Sequence, residues 1–308
     1  MLTREKFDEL LSSQSDNINA HIETIELHSE INDTKTTTCV HCLQLNGNGL
    51  PRVKDFAKYL SHRVINYAIP KSEIIAAQKK DADGGGFAHT LELREKAVNL
   101  FTHLKTSGEG GELLLYILVE EFLKIPQLIC KMPLKTNQQV HYHGVDGIHC
   151  TLGESGKLEV YWGESKLHQT YGTAIKECFE SLNNFLQNSP STDRDIELIH
   201  DNIDVRDEEF QNALVNYFDK NHPNYNSVNY RGVALVGFDF NKYPNTPNSK
   251  IIQDVIDEVN LKISDWKDKV KEQINEHTYL DSFIIHMFIL PFPSVQEFRD
   301  NFLSELGV

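Results

Sequence analysis

The chain has 308 residues, 40% of them hydrophobic, enough to bury a sizeable core in two domains or one elaborated domain. Thirty basic side chains against 45 acidic ones give a formal charge of −15. That excess repels a phosphate backbone at long range and argues against a free-standing, high-affinity nucleic-acid binder, though not against a local groove or delivery by a partner. No apolar run reaches 18 residues, the opening Met-Leu-Thr-Arg-Glu-Lys lacks the shape of a signal peptide, and five cysteines make no disulfide framework. A soluble, cytoplasmic protein with reduced thiols and no membrane association is expected.

Residues 1–35 are polar, with a strand expected over 21–28 and a second over 36–45. The Gly47-Asn48-Gly49 turn and Pro51 lead into a helix over 52–67, striped by Phe56, Leu60 and Val64. A helix from 70 to about 80, a flexible break over 81–86 and a helix over 90–104 complete the first part. Residues 1–105 are therefore expected to form a small α+β module in front of the main domain, available to a partner. Within it, Cys39-Val-His-Cys42 fails as a zinc site. A structural zinc needs four ligands, no second pair follows at usable spacing, and strand alternation points His41 away from at least one cysteine.

The glycine-rich stretch 107–112 lacks the spacing of a nucleotide loop and caps a helix over 112–123. Glu112 falls in that helix's first turn, where the helix dipole favours a carboxylate. It serves either as a cap or in a supporting role toward a metal-bound water. A short strand is expected over 128–133, another over 140–150 and a third over 158–167, followed by a helix over 171–186. In the middle strand, alternation places His141 and His143 opposite Asp146, which argues against a His–Asp metal cluster. An acidic insertion at about 187–229 holds a short element at 193–201 and a helix over 208–218. Then come a strand over 230–240, an amphipathic helix over 251–275, an almost wholly apolar strand over 283–290 that suits an internal position, and a helix over 295–306. Pro291 is expected to stop the last strand. Lys267, Lys269 and Lys271 fall outside the apolar stripe of the long helix and would suit a protein interface.

The chemistry concentrates between 144 and 166. Period-2 geometry puts Glu164 and Lys166 on one face of a strand and Ser165 on the other. With Asp146 on the neighbouring strand, joined through the turn near Gly153 and Gly156, three charged groups converge. Two carboxylates and the Ser165 backbone carbonyl offer oxygen ligands to Mg²⁺, for which Mn²⁺ can substitute. Lys166 would stand beside the attacked phosphate.

Glu112 on a helix, Asp146 after Gly144-Val145 and Glu164-Ser165-Lys166 on the next strand resemble the PD-(D/E)XK superfamily, the restriction-endonuclease-like fold. The blocks Gly108 to Tyr116, Gly144 to Gly147 and Trp162 to His168 resemble the HamA family of effectors in the Hachiman anti-phage defence system. The resemblance implies an α/β (α+β) protein whose restriction-endonuclease-like core is a central mixed sheet flanked by helices, occupying 106–308. It implies a Mg²⁺-dependent DNA endonuclease that works with a superfamily 2 helicase of the HamB type on a DNA substrate. Carried over position by position, Asp146, Glu164 and Lys166 fall on the catalytic positions and Glu112 on the helix acid. RecB-like relatives add a Gln and a Tyr four residues apart after the lysine; here Gln169 is followed at that distance by Thr173, and Tyr171 is out of register. The alternative is a catalytically silent regulatory or scaffolding subunit of a nucleic-acid-processing complex.

Overall fold

The structure, a computed structural model, describes residues 2–12, 18–101, 108–135, 145–188, 193–203, 205 and 207–307. The expectations for His141, His143 and Gly144 lie outside the described residues. Helix α1 (Arg4–Asp8) precedes strands β1 (Ile22–Glu30) and β2 (Thr36–Leu43). Four helices follow: α2 (Val53–Ser61), α3 (Val64–Ala68), α4 (Lys71–Gly84) and α5 (Ala88–Asn99). Helix α6 (Glu109–Leu118) runs into a π-helical turn at Val119–Leu123, and α7 (Met132–Lys135) leads to the hairpin β3 (Gly147–Leu152) and β4 (Leu158–His168). The rest is α8 (Tyr171–Asn188), α9 (Asp193–Asn202), α10 (Glu208–Val215), β5 (Val228–Asp239), α11 (Ile252–Glu276), β6 (Ile285–Phe292) and α12 (Val295–Leu306). No described helix is long and apolar enough to cross a membrane.

One mixed six-stranded sheet, ordered β1-β2-β6-β5-β4-β3, runs through the molecule, with helices packed against it. The outer pairs β1–β2 and β3–β4 are antiparallel, whereas β2, β6, β5 and β4 are mutually parallel. The residues on either side of the boundary expected near 105 thus share a sheet, since β2 pairs directly with β6. β6 is internal, as its apolar sequence requires, and every one of its residues except His286 is buried.

Three local expectations need correction. The strand expected over 128–133 is only a brief lay-by along β3: Leu128 N–H donates to Ile148 O, Cys150 N–H donates to Pro126 O, and then α7 begins. Pro133 favours this because its fixed φ suits a first helical turn and it has no N–H for a ladder. β6, by contrast, continues through Pro291 to Phe292. Its pairing with β2 ends at Val40 and Ile289, so the missing N–H of Pro291 falls where no ladder bond is required. The break expected over 81–86 is helix as far as Gly84, closed by Gly85 at φ 69°. Asp81 caps the next helix, accepting from His89 N–H, Thr90 N–H and the Thr90 hydroxyl.

The long helix α11 buries Val255, Val259, Ile263, Trp266, Val270 and Ile274 along one stripe. Two of its lysines are engaged with other elements of the chain. Lys267 reaches Glu26 Oε2 at 2.6 Å and Ser29 Oγ at 2.7 Å, and Lys271 pairs with Asp33 at 2.9 Å. They fasten α11 to β1 and to the turn after it. The terminal helix α1 packs on the acidic insertion: Phe7 meets Phe210 edge-on at 5.1 Å, and Lys6 pairs with Asp207 at 2.7 Å.

Candidate functional site

The β3–β4 hairpin closes through Gly156 at φ 73°, with Gly153 N–H bonded to Lys157 O, and its register sets Gly147 opposite Gly163. Asp146 therefore stands at the head of β3, its N–H donating to Gly163 O at 2.7 Å. Its Oδ2 accepts both the Ser165 N–H and the Ser165 hydroxyl, each at 2.8 Å. A strand residue's N–H and C=O point toward the same edge, so the Ser165 carbonyl faces the Asp146 side as well. On the other face of β4, as alternation predicts, Lys166 Nζ lies 2.6 Å from Glu164 Oε1. Glu164 is buried and Lys166 partly exposed.

Helix α6 lies close against β4. A methyl group at Gly111 would come within 3.1 Å of Leu167 and 3.3 Å of Ser165 Oγ, so these side chains would have to give way to anything larger than glycine. The next residue, Glu112, is buried, and its Oε2 accepts from the Tyr67 hydroxyl at 3.0 Å. Tyr67 belongs to α3 and is wholly buried. From the segment before α7, the buried Lys131 acts electrostatically on Asp146.

These charges shape one another. Burial first, and then the Glu112 and Glu164 carboxylates, raise the Asp146 carboxyl to about 7 against the opposition of Lys131 and the Ser165 N–H. For Lys166 burial works against the ammonium, but the charge and hydrogen bond of Glu164 and the charge of Asp146 outweigh it, and the net shift is upward. The Tyr67 hydroxyl is held well above its ordinary value, first by burial and then by Glu112 and Asp146. The arrangement brings Glu112, Asp146, Glu164, Ser165 and Lys166 into one electrostatic neighbourhood. Among the described residues no three His, Cys, Asp or Glu side chains stand together as a ready metal cage.

A model of the HamA family matches residues 17–306. The chain belongs to the HamA family. No curated protein matches it. The HamA match spans both the N-terminal strands and the hairpin, in keeping with their shared sheet.

Two members of the neighbourhood were not anticipated from the sequence. The sequence places Tyr67 at the end of a helix and Lys131 in a short strand, with no role at the site for either. The detectable signal for Lys131 is a single lysine within an otherwise apolar run from Leu128 to Leu134, a place where lysine is seldom buried without a partner. Other candidates fall away. Cys39, His41 and Cys42 are buried in β2, and His41 packs on Phe122 and Phe288, with burial lowering its pKa to about 3. His149 is buried with Nδ1 against Ile125 O. Tyr171, the out-of-register tyrosine, donates to Trp266 O at 2.8 Å and serves packing.

Proposed function

We propose that this HamA-family chain is a metal-dependent deoxyribonuclease with a restriction-endonuclease-like core, the effector of a helicase–nuclease anti-phage defence complex. The observation that carries the reading is the meeting of Asp146, fixed by the Ser165 N–H and hydroxyl, with the Glu164–Lys166 ion pair that flanks that serine. The Glu112 and Glu164 charges help to raise the Asp146 carboxyl, a bias that a hard divalent cation relieves. The donor set fits Mg²⁺, with Mn²⁺ as a substitute. The hydrogen bonds and ion pair described use Asp146 Oδ2 and Glu164 Oε1, leaving Asp146 Oδ1, Glu164 Oε2 and the Ser165 carbonyl as hard oxygen ligands. When bound, the ion supplies Lewis-acid polarisation of the phosphodiester and a water of lowered pKa.

The chain's own residues do the rest. Lys166 places a fixed positive charge where the phosphate gathers negative charge in the transition state, and Glu164 holds the ammonium in position. Ser165 locks the Asp146 carboxylate through two hydrogen bonds, so that it is oriented before an ion arrives. Glu112, tied to Tyr67, adds negative charge behind Asp146. The charge of −15 suits an enzyme that holds little DNA by itself and receives its substrate from a superfamily 2 helicase. Residues 1–105 or the acidic insertion at 187–229 supply the docking surface. The competing reading, a catalytically silent regulatory subunit, draws on the lack of a three-ligand cage among the described residues. Plasmid cleavage with Mg²⁺, in the presence of the helicase partner, separates the two. Lys166→Ala is expected to abolish cleavage through turnover rather than binding, and cleavage at the parental rate by that variant would rule out the nuclease assignment.

A further inference from the structure

A guanidinium keeps its charge across the working pH range, and covering part of it without an anion is costly. Arg4, Arg52 and Arg231 are balanced by Asp8, Asp55 and Glu159. Arg299, partly buried on α12, has no such partner among the described residues. Its NH2 group donates to a backbone carbonyl, Leu167 O, at 2.8 Å, and its Nε is buried without a partner. Asp239 acts on its charge without pairing with it, and Asp239 Oδ1 accepts from the Val295 N–H that begins α12. The helix itself is firmly seated. Phe298 and Phe302 are buried, Phe298 lies 5.0 Å from Phe292 and 5.9 Å from Phe56, and the Ser294 side chain caps the helix by accepting from Glu297 N–H.

The carbonyl that Arg299 holds lies on the edge of β4 that carries the candidate ion ligands. Gly163 O accepts from Asp146 N–H and Ser165 N–H donates to Asp146 Oδ2, so both face the β3 side. Backbone groups change edge from one strand residue to the next, which puts the Ser165 and Leu167 carbonyls on that same edge, about 6.6 Å apart. Pairing with β3 begins only at Gly147 opposite Gly163, while β4 runs on to His168. Past that pair, this edge meets Asp146 at Ser165 and Arg299 at Leu167. With one N–H given to Leu167 O, the NH1 group and the second NH2 hydrogen remain for a ligand.

We propose that Arg299 is a phosphate-binding residue of the site, gripping the DNA backbone at the phosphate next to the one that is cut. The proposal rests on the nuclease reading above and adds to it the line that the substrate strand follows, along the β3-side edge of β4. The step of about 6.6 Å from Ser165 to Leu167 is close to the spacing of successive phosphates in a nucleotide strand. With the scissile phosphate beside Asp146 and Lys166, its neighbour meets the guanidinium, whose planar fork suits two phosphate oxygens.

The test is a cleavage map on short duplexes, each with one phosphate made uncharged as a methylphosphonate, cut by the full chain with its helicase partner and Mg²⁺. The parent is expected to cut one of the two bonds flanking the methylphosphonate about tenfold less often than in the unmodified duplex. In Arg299→Gln that dip should vanish. A second readout is binding of the unmodified duplex to the full chain without divalent ions, followed by fluorescence anisotropy. There Arg299→Gln should lower the slope of log affinity against log salt by about 0.9, the share of one phosphate contact. An arginine that only ties α12 to β4 would move neither quantity. A parent map with no dip beside the methylphosphonate overturns the proposal and needs no variant, so it holds even if Arg299→Gln does not fold. A dip or a salt slope left unchanged in folded Arg299→Gln assigns the contact to another residue and overturns the proposal too. A parent complex that cuts no DNA at all overturns the nuclease reading itself.

Discussion

Replacing Asp146 with Asn removes one charge and leaves the shape almost unaltered, since an amide oxygen still accepts from the Ser165 N–H and hydroxyl. The carboxyl titrates at about 7 in the folded chain against an ordinary 3.8. Between those values the native state holds a proton that the unfolded state has lost, so stability falls as pH rises through that window. The full shift corresponds to an upper bound of about 4 kcal/mol, and sharing the charge among coupled neighbours reduces the working figure to about 2 kcal/mol. An unfolding entropy of roughly 2.1 cal/mol/K per residue over the chain converts that to about 3 °C. In thermal melts with chelator at pH 8.5, Asp146→Asn should therefore melt about 3 °C above the parent, and at pH 4 the difference should nearly vanish. Mn²⁺ at about 100 times its dissociation constant should reverse the order by adding about 2.7 kcal/mol to the parent alone. A variant that melts at or below the parent at pH 8.5, or a gap of equal size at both pH values, would refute the crowded-carboxylate account.

Lys166→Ala should lose stability as well as activity, about 1–3 kcal/mol in urea titration, because Glu164 is buried and would be left without its cation; the partial exposure of Lys166 keeps the figure at the low end of a buried pair. Tyr67→Phe removes the hydroxyl bonded to Glu112 and should cost about 1–2 kcal/mol by the same measurement, while cleavage falls without loss of the fold. Asp81→Ala should lower the melting temperature at pH 7, with the difference disappearing as pH falls. Hydrogen bonding from Thr90 holds the Asp81 pKa below its ordinary 3.8, so its contribution is present above that value and lost beneath it.

Much of the fold could be read directly. β1, β2, β4, β5, α8, α11 and α12 follow from periodicity and punctuation, and the Glu164–Lys166 face follows from alternation alone. What escaped was non-local. Whether Pro291 ends a strand depends on where the neighbouring strand stops, which its own sequence does not record. The 128–133 segment has the composition of a strand, yet it lies along β3 for two hydrogen bonds before Pro133 turns it into helix. Tyr67 and Glu112 are 45 residues apart, and nothing in local pattern announces their hydrogen bond. The lysines of α11 look like a free charged face until β1 is laid beside them.

The site is also less separable from the N-terminal residues than a two-part reading of the sequence suggests. Glu112 is held by Tyr67 of α3, and Tyr67 in turn accepts from the Cys130 thiol, one residue before Lys131. Farther along the same stretch, the buried Glu120 accepts from Ser12 N–H with one oxygen and from Gln127 N–H with the other. One buried polar seam therefore runs from the start of the chain to the segment that delivers Lys131, and on to the acids beside β4. Each bond in it is short-range, but buried polar groups are costly to leave unpaired, so the partners are held to one another more firmly than apolar neighbours would be. A displacement of Ser12 or of α3 thus acts on residues hydrogen-bonded to the segments around the site, with the bond between Tyr67 and Glu112 as the last link.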